Sequence, residues 1–279
     1  MKHGIFLPPF SELADPRRVA MLAADAEQAG WDGFYLWDHM LAVPGMAVAE
    51  AWTTLAAIAM TTSRIRLGAL VTPLARRRPS VLARQVATLD QLSGGRLVVG
   101  IGLGDDGWRE FSAFGEETSP RMRGELLDES LEILQELLTG NALLHAGRHY
   151  AIDSPPLLPA PVQDPVPIWA AVRWPNRKPL ARAATLQGCF PIFPDSGDRP
   201  APPPADELMQ LQAELTGLGA GRFLDIAVRC ALHRLPGDER AGAAAALADA
   251  GVTWLLEAFA PGQDAAAVEA YVRGGPPGG

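Results

Sequence analysis

The sequence predicts a (β/α)8 barrel, or TIM barrel, which is a single α/β domain with short insertions after its fourth and sixth strands. Apolar runs of strand length alternate with runs of helix length eight times along 279 residues. One complete β-α-β unit spans Ile65 to Gly104, and such crossovers join parallel strands with right-handed connections. Because the chain has the length of one such barrel, eight parallel repeats favour a closed barrel over an open sheet.

The central β-α-β unit is the clearest stretch. Ile65–Val71 is an apolar, partly β-branched run that predicts a buried strand, and Thr72-Pro73 is expected to end it because proline lacks an N–H group. Ser80 is placed to cap the amphipathic helix that follows, and Gly94-Gly95 is typical of a helix end. Leu97–Ile101 predicts the next buried strand.

The other elements follow from the same patterns of apolar runs, caps and breakers. Strands are predicted at Gly4–Leu7, Gly33–Trp37, Pro167–Val172, Cys189–Phe193, Asp225–Cys230 and Val252–Glu257. Helices are predicted from Asp15-Pro16 to Gly30, at Glu50–Thr61, Pro120–Leu138 and Pro179–Leu186, and from Asp206, Glu239 and Asp264. Residues 141–165 break the alternation and suggest a hairpin, whereas the proline-rich residues 194–205 suggest a mobile loop. Residues 1–273 are therefore assigned to the barrel and 274–279 to a disordered tail.

The composition excludes several classes of protein. A net charge of −8 argues against a general binder of nucleic acids or anionic membranes. No stretch has the length of a membrane span or the pattern of a signal peptide, so a cytoplasmic protein is expected. Cys189 and Cys230 fall in predicted buried strands and are interpreted as small core residues. No histidine pair has the spacing of a metal site, so no metal is expected.

Candidate catalytic residues were sought at the carboxyl ends of the strands, where the chemistry of such barrels lies. His39 follows the second strand and could donate a proton or stabilise an anion near neutral pH, with Asp38 setting its tautomer or charge. Asp105 follows the fourth strand and could be a second acid or base. The alternative is that these residues only cap loops and helices.

Glycines and arginines near the same strand ends indicate a ligand. Gly100, Gly102 and Gly104 alternate without forming the dinucleotide fingerprint, and their missing side chains could leave room for a flat ring. Arg173 to Arg177 and Arg76 to Arg78 are two basic clusters in an acidic chain, which suggests a phosphorylated or carboxylated ligand. The alternative for each cluster is ion pairing with surface carboxylates.

Four segments resemble the bacterial luciferase-like family of flavin- and deazaflavin-dependent oxidoreductases. They are AEQAGWDGFYLWDHM, IRLGALVTPL, RRPSVLARQVATLDQLSGGRLVVGIGLG and PIWAAVRWPNRKPLARAA. The third segment is the most specific marker, and the similarity covers about residues 4 to 193. The resemblance implies a TIM barrel that binds FMN or the deazaflavin F420 at its carboxyl-terminal face.

The resemblance also assigns roles to residues. The family's catalytic histidine and its preceding acid correspond to Asp38-His39, and an acid that some deazaflavin members carry corresponds to Asp105. A bulge that often holds a non-proline cis peptide corresponds to Ala69-Leu70, and the backbone that binds the cofactor phosphate corresponds to Val172 to Asn176. The cofactor-binding residues implied in this way are Ala69, Leu70, Val71, Thr72, Gly102, Gly104, Val172, Arg173, Trp174 and Asn176.

Two departures from the family leave three functions open. The family has glycines where this chain has Ala171-Val172-Arg173, so Val172 could obstruct a phosphate, and the chain is short for the family's FMN monooxygenases. The first function is F420-dependent hydride transfer with a small organic substrate. The second is an FMN-dependent monooxygenase that uses O2 and a partner flavin reductase. The third is a barrel with weak or lost cofactor binding. The family resemblance also allows a homodimer.

Overall fold

The computed structural model describes residues 1–194, 201–221 and 224–277. Within these ranges the strands are β1 (Lys2–Leu7), β2 (Gly33–Leu36), β3 (Arg66–Ala69), β4 (Thr72–Pro73), β5 (Val99–Gly102), β6 (Leu143–Ala146), β7 (Ala151–Ser154), β8 (Ile168–Arg173), β9 (Gly188–Ile192), β10 (Asp225–Cys230) and β11 (Trp254–Ala258). The helices are α1 (Pro16–Gln28), α2 (Ala51–Thr61), α3 (Pro79–Ser93), α4 (Pro120–Leu138), α5 (Arg177–Ala184), α6 (Ala205–Gly217), α7 (Gly237–Asp249) and α8 (Ala265–Arg273).

Nine parallel strand segments form the barrel in the order β3-β2-β1-β11-β10-β9-β8-β5-β4. The ends of this order meet, because Leu67 in β3 bridges Leu97 and β4 pairs with β5. Strands β3 and β4 are thus two parts of the third barrel strand, and the predicted fold class is confirmed. The antiparallel hairpin of β6 and β7 lies within residues 141–165, which confirms that prediction as well. Half of the predicted loop at 194–205, namely residues 195–200 in the insertion after the sixth strand, lies outside the described residues. The last two residues of the predicted tail also lie outside them.

The third barrel strand differs from the prediction at its end. Thr72-Pro73 does not end it, because these residues form β4 and pair with Ile101 and Gly102. The interruption comes earlier, at a cis peptide bond between Leu70 and Val71. That bond is the non-proline cis peptide implied by the family, displaced by one position from Ala69-Leu70.

Most helix starts follow the sequence signals. Asp15, Ser119 and Asp264 accept hydrogen bonds from N–H groups in the first turns of α1, α4 and α8, and Glu50 does the same for α2. The predicted cap at Ser80 is wrong: α3 begins at Pro79, whose fixed φ suits the first helical position and which needs no N–H partner. The helix ends as predicted, with Gly94 at φ 65° and Gly95 at φ 82°.

Side chains alternate between two buried regions. One apolar layer lies between the strands and the helices, and we call it the outer layer. The other fills the inside of the barrel, and we call it the lumen cluster. In the lumen cluster Trp169 packs against Tyr35 and Trp254, with ring centroids 5.5 Å away in both cases. A Cβ on Gly188 would lie 2.0 Å from Trp169 Cδ1, so this glycine makes room for the indole.

The alternating glycines of the fourth barrel strand also make room for protein atoms. A Cβ on Gly100 would lie 2.4 Å from the carbonyl oxygen of Ala69, and one on Gly102 would lie 2.5 Å from Val71 Cγ2. Gly104 has φ 74°, and a Cβ there would meet Phe111 and Pro73 at 2.9 Å. The interpretation that these three positions leave room only for a flat ring is therefore corrected, since the adjacent third strand and Phe111 occupy that space.

This packing predicts that Gly100→Ala lowers the free energy of unfolding by about 1–3 kcal/mol, because a backbone oxygen cannot move aside as a side chain can. The matched control is Gly124→Ala in α4, where nothing lies within 4 Å of the added Cβ. That change should instead stabilise the protein by about 0.5–1 kcal/mol. Urea unfolding of both variants measures the difference, and equal effects would contradict the close contact.

Glu27, near the end of α1, ties that helix to the start of β3. Its carboxylate accepts N–H groups of Ser63, Arg64 and Ile65 at 2.6 to 3.1 Å. Burial alone would raise the pKa of Glu27, but these donors lower its pKa to about 2. The pKa in the folded chain thus lies below that of the unfolded chain, near 4.3.

A pH dependence follows from Glu27. Its contribution to stability is present above about pH 4.3 and is lost as the pH falls through the folded-state pKa of about 2. Glu27→Gln should therefore lower the free energy of unfolding by about 1–2 kcal/mol at pH 7, allowing for solvent screening, and by much less near pH 2.5. Urea unfolding at both pH values measures this. A pH-independent deficit would show that the charge is not responsible.

Two further observations concern the cysteines and the possibility of a membrane-spanning helix. Cys189 and Cys230 are free and buried, which confirms their interpretation as core residues, and burial raises the pKa of the Cys189 thiol to about 12. Within the part of the chain that the structure describes, no helix combines the length and apolarity needed to cross a membrane.

Candidate active site

His39 lies just beyond β2, at the carboxyl ends of the barrel strands, and its side chain is 26% exposed. Three aromatic rings surround the imidazole. The ring centroids of Phe10, Trp37 and Trp108 lie 5.8, 5.6 and 5.0 Å from that of His39. His39 is thus a partly exposed titratable group set in an apolar wall.

The carboxylate that holds His39 is Glu110, which lies in the loop between β5 and α4. Glu110 Oε2 lies 2.6 Å from His39 Nδ1, and Glu110 is buried. Its Oε1 accepts the N–H of Met40 at 2.5 Å and that of Leu41 at 3.3 Å, and lies 3.2 Å from Arg76 Nη1. Because Nδ1 is engaged by the carboxylate, Nε2 is the nitrogen left to meet a ligand.

The electrostatics of Glu110 favour its ionised form. Burial opposes ionisation, but the hydrogen bond and charge of His39, the N–H of Met40 and the Arg76 guanidinium outweigh it, and the pKa of Glu110 is lowered. A carboxylate fixed in this way holds the Nδ1 side of the imidazole and fixes the orientation of the ring.

Asp38 has a different place from the one expected. Its carboxylate is buried and faces away from His39: it accepts hydrogen bonds from Thr72 Oγ1 at 2.9 Å and Trp52 Nε1 at 3.2 Å. Arg77 Nη2 lies 2.7 Å from its Oδ2. The expectation that Asp38 sets the charge of His39 is wrong, because successive side chains at a strand end point in opposite directions.

The basic cluster Arg76 to Arg78 is largely paired within the protein. The Arg76 side chain is 5% exposed and contacts Asp38 and Glu110, and Arg77 is ion-paired with Asp38 and with Glu50. Ion pairing with carboxylates of the protein, the alternative stated for this cluster, is therefore found for Arg76 and Arg77. Arg76 joins the loop that carries His39 to the loop that carries Glu110, and both paired arginines are occupied by carboxylates of the protein.

Asp105 lies in the loop after β5 but not against His39. It is exposed, accepts the N–H of Gly107 at 2.7 Å and lies 3.8 Å from Arg173 Nη2. The expected role of a second acid or base would need it near His39, where the structure has Glu110 instead. Asp105 and Arg173 bring the ends of the fourth and fifth barrel strands together at the barrel mouth.

The end of the fifth barrel strand does not obstruct a ligand. Val172 and Trp174 pack in the outer layer, whereas Ala171 packs in the lumen cluster. The expectation that Val172 blocks the approach of a phosphate is therefore corrected. Arg173 is 71% exposed, and Asn176 directly precedes α5 with no side chain capping that helix.

The predicted cofactor-binding residues of the third barrel strand also lie partly in the outer layer and partly in the lumen cluster. Ala69 is buried in the outer layer, and the Thr72 hydroxyl is used by Asp38 and Trp52. Leu70 is buried in the lumen cluster, and Val71 is partly exposed at its edge. Of these four, Val71 is the side chain presented to the barrel mouth.

Three partly exposed apolar side chains pack against the lumen cluster near the carboxyl ends of their strands, and we call them the floor: Val71, Ala171 and Ile192. Gly102 lies between two of them, since its added Cβ would meet Val71 at 2.5 Å and Ala171 at 3.5 Å. The exposed Arg173 and the uncapped first turn of α5 supply N–H and guanidinium donors at one edge of this floor. Gly104 packs against Phe111 and does not reach the floor.

Sequence reasoning found His39 and missed its partners. Glu110 and Trp108 lie in the loop after β5, about 70 residues from His39, where no periodic pattern sets their direction. The short spacing of Trp108 and Glu110 after the glycine strand is the one local signal that could have drawn attention to them. In the described ranges no group of three or more His, Cys, Asp or Glu side chains is arranged to hold a metal ion.

Comparison with known proteins adds a family. Residues 1–193 match the model of the luciferase-like monooxygenases. The chain belongs to this family. An F420-dependent glucose-6-phosphate dehydrogenase of Nakamurella multipartita is 31% identical over 174 residues, which are 61% of this chain and 51% of that protein. The chain thus spans about half the length of the curated relatives it matches.

Solved structures of luciferase-like proteins share the fold. An F420-dependent secondary alcohol dehydrogenase in complex with an F420-acetone adduct has a TM-score of 0.75 at 17% identity, over 91% of this chain and 92% of that one. The monooxygenase RslO1 of Streptomyces bottropensis has a TM-score of 0.77 at 19% identity, over 98% of this chain and 97% of that one. The oxygenating constituent of 3,6-diketocamphane monooxygenase from Pseudomonas putida, in complex with FMN, has a TM-score of 0.65 at 19% identity. The match covers 82% of this chain and 66% of that one. At these identities the likeness concerns the fold.

Proposed function

We propose that the protein is an oxidoreductase that transfers a hydride between C5 of the deazaflavin F420 and a small organic substrate. One observation carries this proposal: the partly exposed His39 has Nδ1 held by the buried carboxylate of Glu110, which leaves its other nitrogen for a ligand, and aromatic rings surround the imidazole. The matched glucose-6-phosphate dehydrogenases of Nakamurella multipartita and Amycolatopsis mediterranei are F420-dependent, which supports this cofactor.

Different residues bind the ring and the phosphate arm of the cofactor. Val71, Ala171 and Ile192 support the face of the flat ring. Arg173 and the first turn of α5 hold the phosphate of the cofactor arm. When bound, the deazaflavin supplies a two-electron hydride acceptor or donor.

His39 handles the proton that accompanies the hydride. In the oxidising direction Nε2 accepts a proton from the substrate, and Glu110 stabilises the imidazolium that results. In the reducing direction the same nitrogen returns the proton. Glu110 acts through His39 and is a positioning residue, while the aromatic rings around the imidazole exclude water from it.

The alternative is an FMN-dependent monooxygenase that uses O2 and a partner flavin reductase. The family model and the FMN-bound structural neighbour favour it. The same floor accepts either flavin ring, so the arm of the cofactor decides between them. A barrel that has lost its cofactor is less well supported, because its sequence basis was Val172 and that side chain lies in the outer layer.

The test is a fluorescence titration of the purified protein with F420 and, separately, with FMN. Tight binding of F420 and weak binding of FMN is the expected result, and the reverse order would favour the monooxygenase. Arg173→Gln should weaken F420 binding, whereas Arg273→Gln at the end of α8 is the matched control and should leave it unchanged. Binding of neither cofactor would overturn the proposal.

A further inference from the structure

Arg123 is a buried arginine that forms no ion pair with a carboxylate of the described residues. It lies in the first turn of α4 and is 5% exposed, and its Nε and Nη1 have no hydrogen-bond partner in the described part of the chain. The pKa of Asp106 is lowered first by the N–H groups of Phe111 and Ser112, and only last by the charge of Arg123. A buried charge without a close partner lowers the stability of a protein. Stability therefore does not explain why an arginine occupies this position.

The contact that Arg123 does make is with the ring of Phe111. Its Cζ lies over the ring, 4.5 Å from the centroid and within the range of a cation–π interaction, and Phe111 is completely buried. Asp106 Oδ1 holds the backbone of Phe111 by accepting its N–H at 2.8 Å. A Cβ on Gly104 would lie 2.9 Å from the ring, so the end of the fourth barrel strand also packs closely against it. Phe111 is thus the anchor of the loop after β5, and Arg123 lies on this anchor.

Phe111 directly follows Glu110, the residue that holds His39. The Arg76 guanidinium links the two, because its Cζ lies 5.8 Å from the Phe111 centroid and its Nη1 lies 3.2 Å from Glu110 Oε1. The distance from Glu110 Oε2 to His39 Nδ1 is 2.6 Å. A displacement of Glu110 by about 1 Å would take this contact beyond hydrogen-bond range. The position of Phe111 therefore decides whether His39 is held.

Arg123 does not act on Glu110 through a direct contact. Burial raises the pKa of Glu110, whereas His39, the N–H of Met40 and the Arg76 guanidinium lower it. These three groups are in contact with the carboxylate, and Arg123 makes no hydrogen bond or ion pair with it. The path from Arg123 to the active site is therefore the packing of the Phe111 ring.

We propose that Arg123 is a positioning residue, which holds Phe111 in place and thereby keeps Glu110 in contact with His39. The inference rests on the proposed function for its role in proton transfer, but the position of His39 can be measured without a cofactor. A planar guanidinium stacks on an aromatic ring, which an aliphatic side chain cannot do. An apolar side chain of similar length would fill the same space without a buried charge. The arginine thus serves the geometry of the site and lowers the stability of the fold.

Arg123→Met tests this role, because methionine keeps an unbranched side chain and removes the charge and the N–H groups. The readout is the tautomer of the neutral His39 imidazole, obtained from the nitrogen chemical shifts of the ring in cofactor-free protein. In wild type the Nδ1–H form should exceed the Nε2–H form by more than about tenfold, as expected for a hydrogen bond to a carboxylate. Arg123→Met should lower this ratio by about threefold or more, since Glu110 is no longer held.

His233 provides an internal control in the same spectrum. Its Nδ1 lies 2.7 Å from Glu257 Oε1, so a buried carboxylate holds this imidazole in the same way. The tautomer ratio of His233 should be the same in wild type and in Arg123→Met. A change in both histidines would show a general loosening of the fold and would contradict a specific path through Phe111.

Arg240→Met is the matched control variant. The Arg240 guanidinium also lies over an aromatic ring, 5.4 Å from the centroid of Tyr271, and it donates to the carbonyl oxygen of His233 at 3.0 Å. This variant removes a second arginine–ring contact that has no connection to Glu110. The tautomer ratio of His39 should therefore match that of wild type.

Urea unfolding separates positioning from a structural role. The midpoint of Arg123→Met should be equal to or above that of wild type, because an unpaired buried charge has been removed. Arg123→Lys keeps a cation that can lie over Phe111 and should restore part of the His39 tautomer ratio. The assignment would be overturned by an unchanged ratio in Arg123→Met, by an equal change in Arg240→Met, by no recovery in Arg123→Lys, or by a lowered midpoint in Arg123→Met.

A titration with F420 distinguishes this inference from the proposed function. Arg123→Met should bind F420 within about twofold of wild type, because Arg123 belongs neither to the floor nor to the first turn of α5. Absence of F420 binding in wild type would be a failure of the proposed function. The tautomer ratio of His39 is measured without cofactor, so it decides the role of Arg123 in either case.

Discussion

Glu110→Gln should lower turnover about a hundredfold or more while the protein stays folded and binds F420. Glutamine keeps the shape of the side chain but not the charge that supports the imidazolium of His39, 2.6 Å away. Steady-state kinetics with F420, together with the fluorescence titration of F420 binding, measures the loss of turnover at unchanged binding.

A purely structural role for Glu110 would give a different result. Glu110→Asp keeps the charge and should recover part of the rate, although the shorter side chain weakens its contacts with Met40 and Arg76. Glu117→Gln, in the same loop, is the control and should change neither turnover nor F420 binding. Equal rate losses in Glu110→Asp and Glu110→Gln would contradict the assignment.

Asp38→Asn should lower the free energy of unfolding by about 3–5 kcal/mol, because it removes the buried counter-charge of Arg77 and leaves that arginine only the exposed Glu50. Arg76 also loses its contact with Asp38 but keeps the carboxylate of Glu110. The amide can still accept from Thr72 and Trp52, so the loss arises from the charge. Urea unfolding monitored by circular dichroism measures the change.

Glu50, the exposed ion-pair partner of Arg77, provides the control. Glu50 lies 3.4 Å from Arg77 Nη2, and its side chain is 45% exposed. Glu50→Gln should cost below about 1 kcal/mol, apart from any weakening of its cap on α2. Similar losses in the two variants would show that burial of Asp38 does not set the strength of its ion pairs.

The fold was accessible from the sequence because its signals are local. Alternation of apolar runs sets the strands, and Asp15, Glu50, Pro120 and Gly94 mark helix ends through backbone chemistry that depends on few neighbours. The errors at Thr72 and Ser80 also have local causes: pairing with β5 extends the third strand past its interruption, and Pro79 replaces a cap.

The site was accessible only in part because its contacts are distant in sequence. His39 was identified from its position after a strand, but Asp38 beside it points away and Glu110, 71 residues later, takes the place assigned to it. The two-residue period of strands does place Val172 in the outer layer and Ala171 inside, so this correction follows from a rule already visible in the sequence. No such rule in the sequence gives the direction of the side chains in the loop after β5.

Glu110 receives the N–H groups of Met40 and Leu41 as well as the imidazole of His39. The same carboxylate therefore joins two sides of the barrel mouth and holds the imidazole that we propose transfers the proton. An outward movement of the loop after β5 would separate Glu110 from His39. The proposed chemistry therefore requires this loop to be in place, and one side chain links the position of the loop to the position of the histidine.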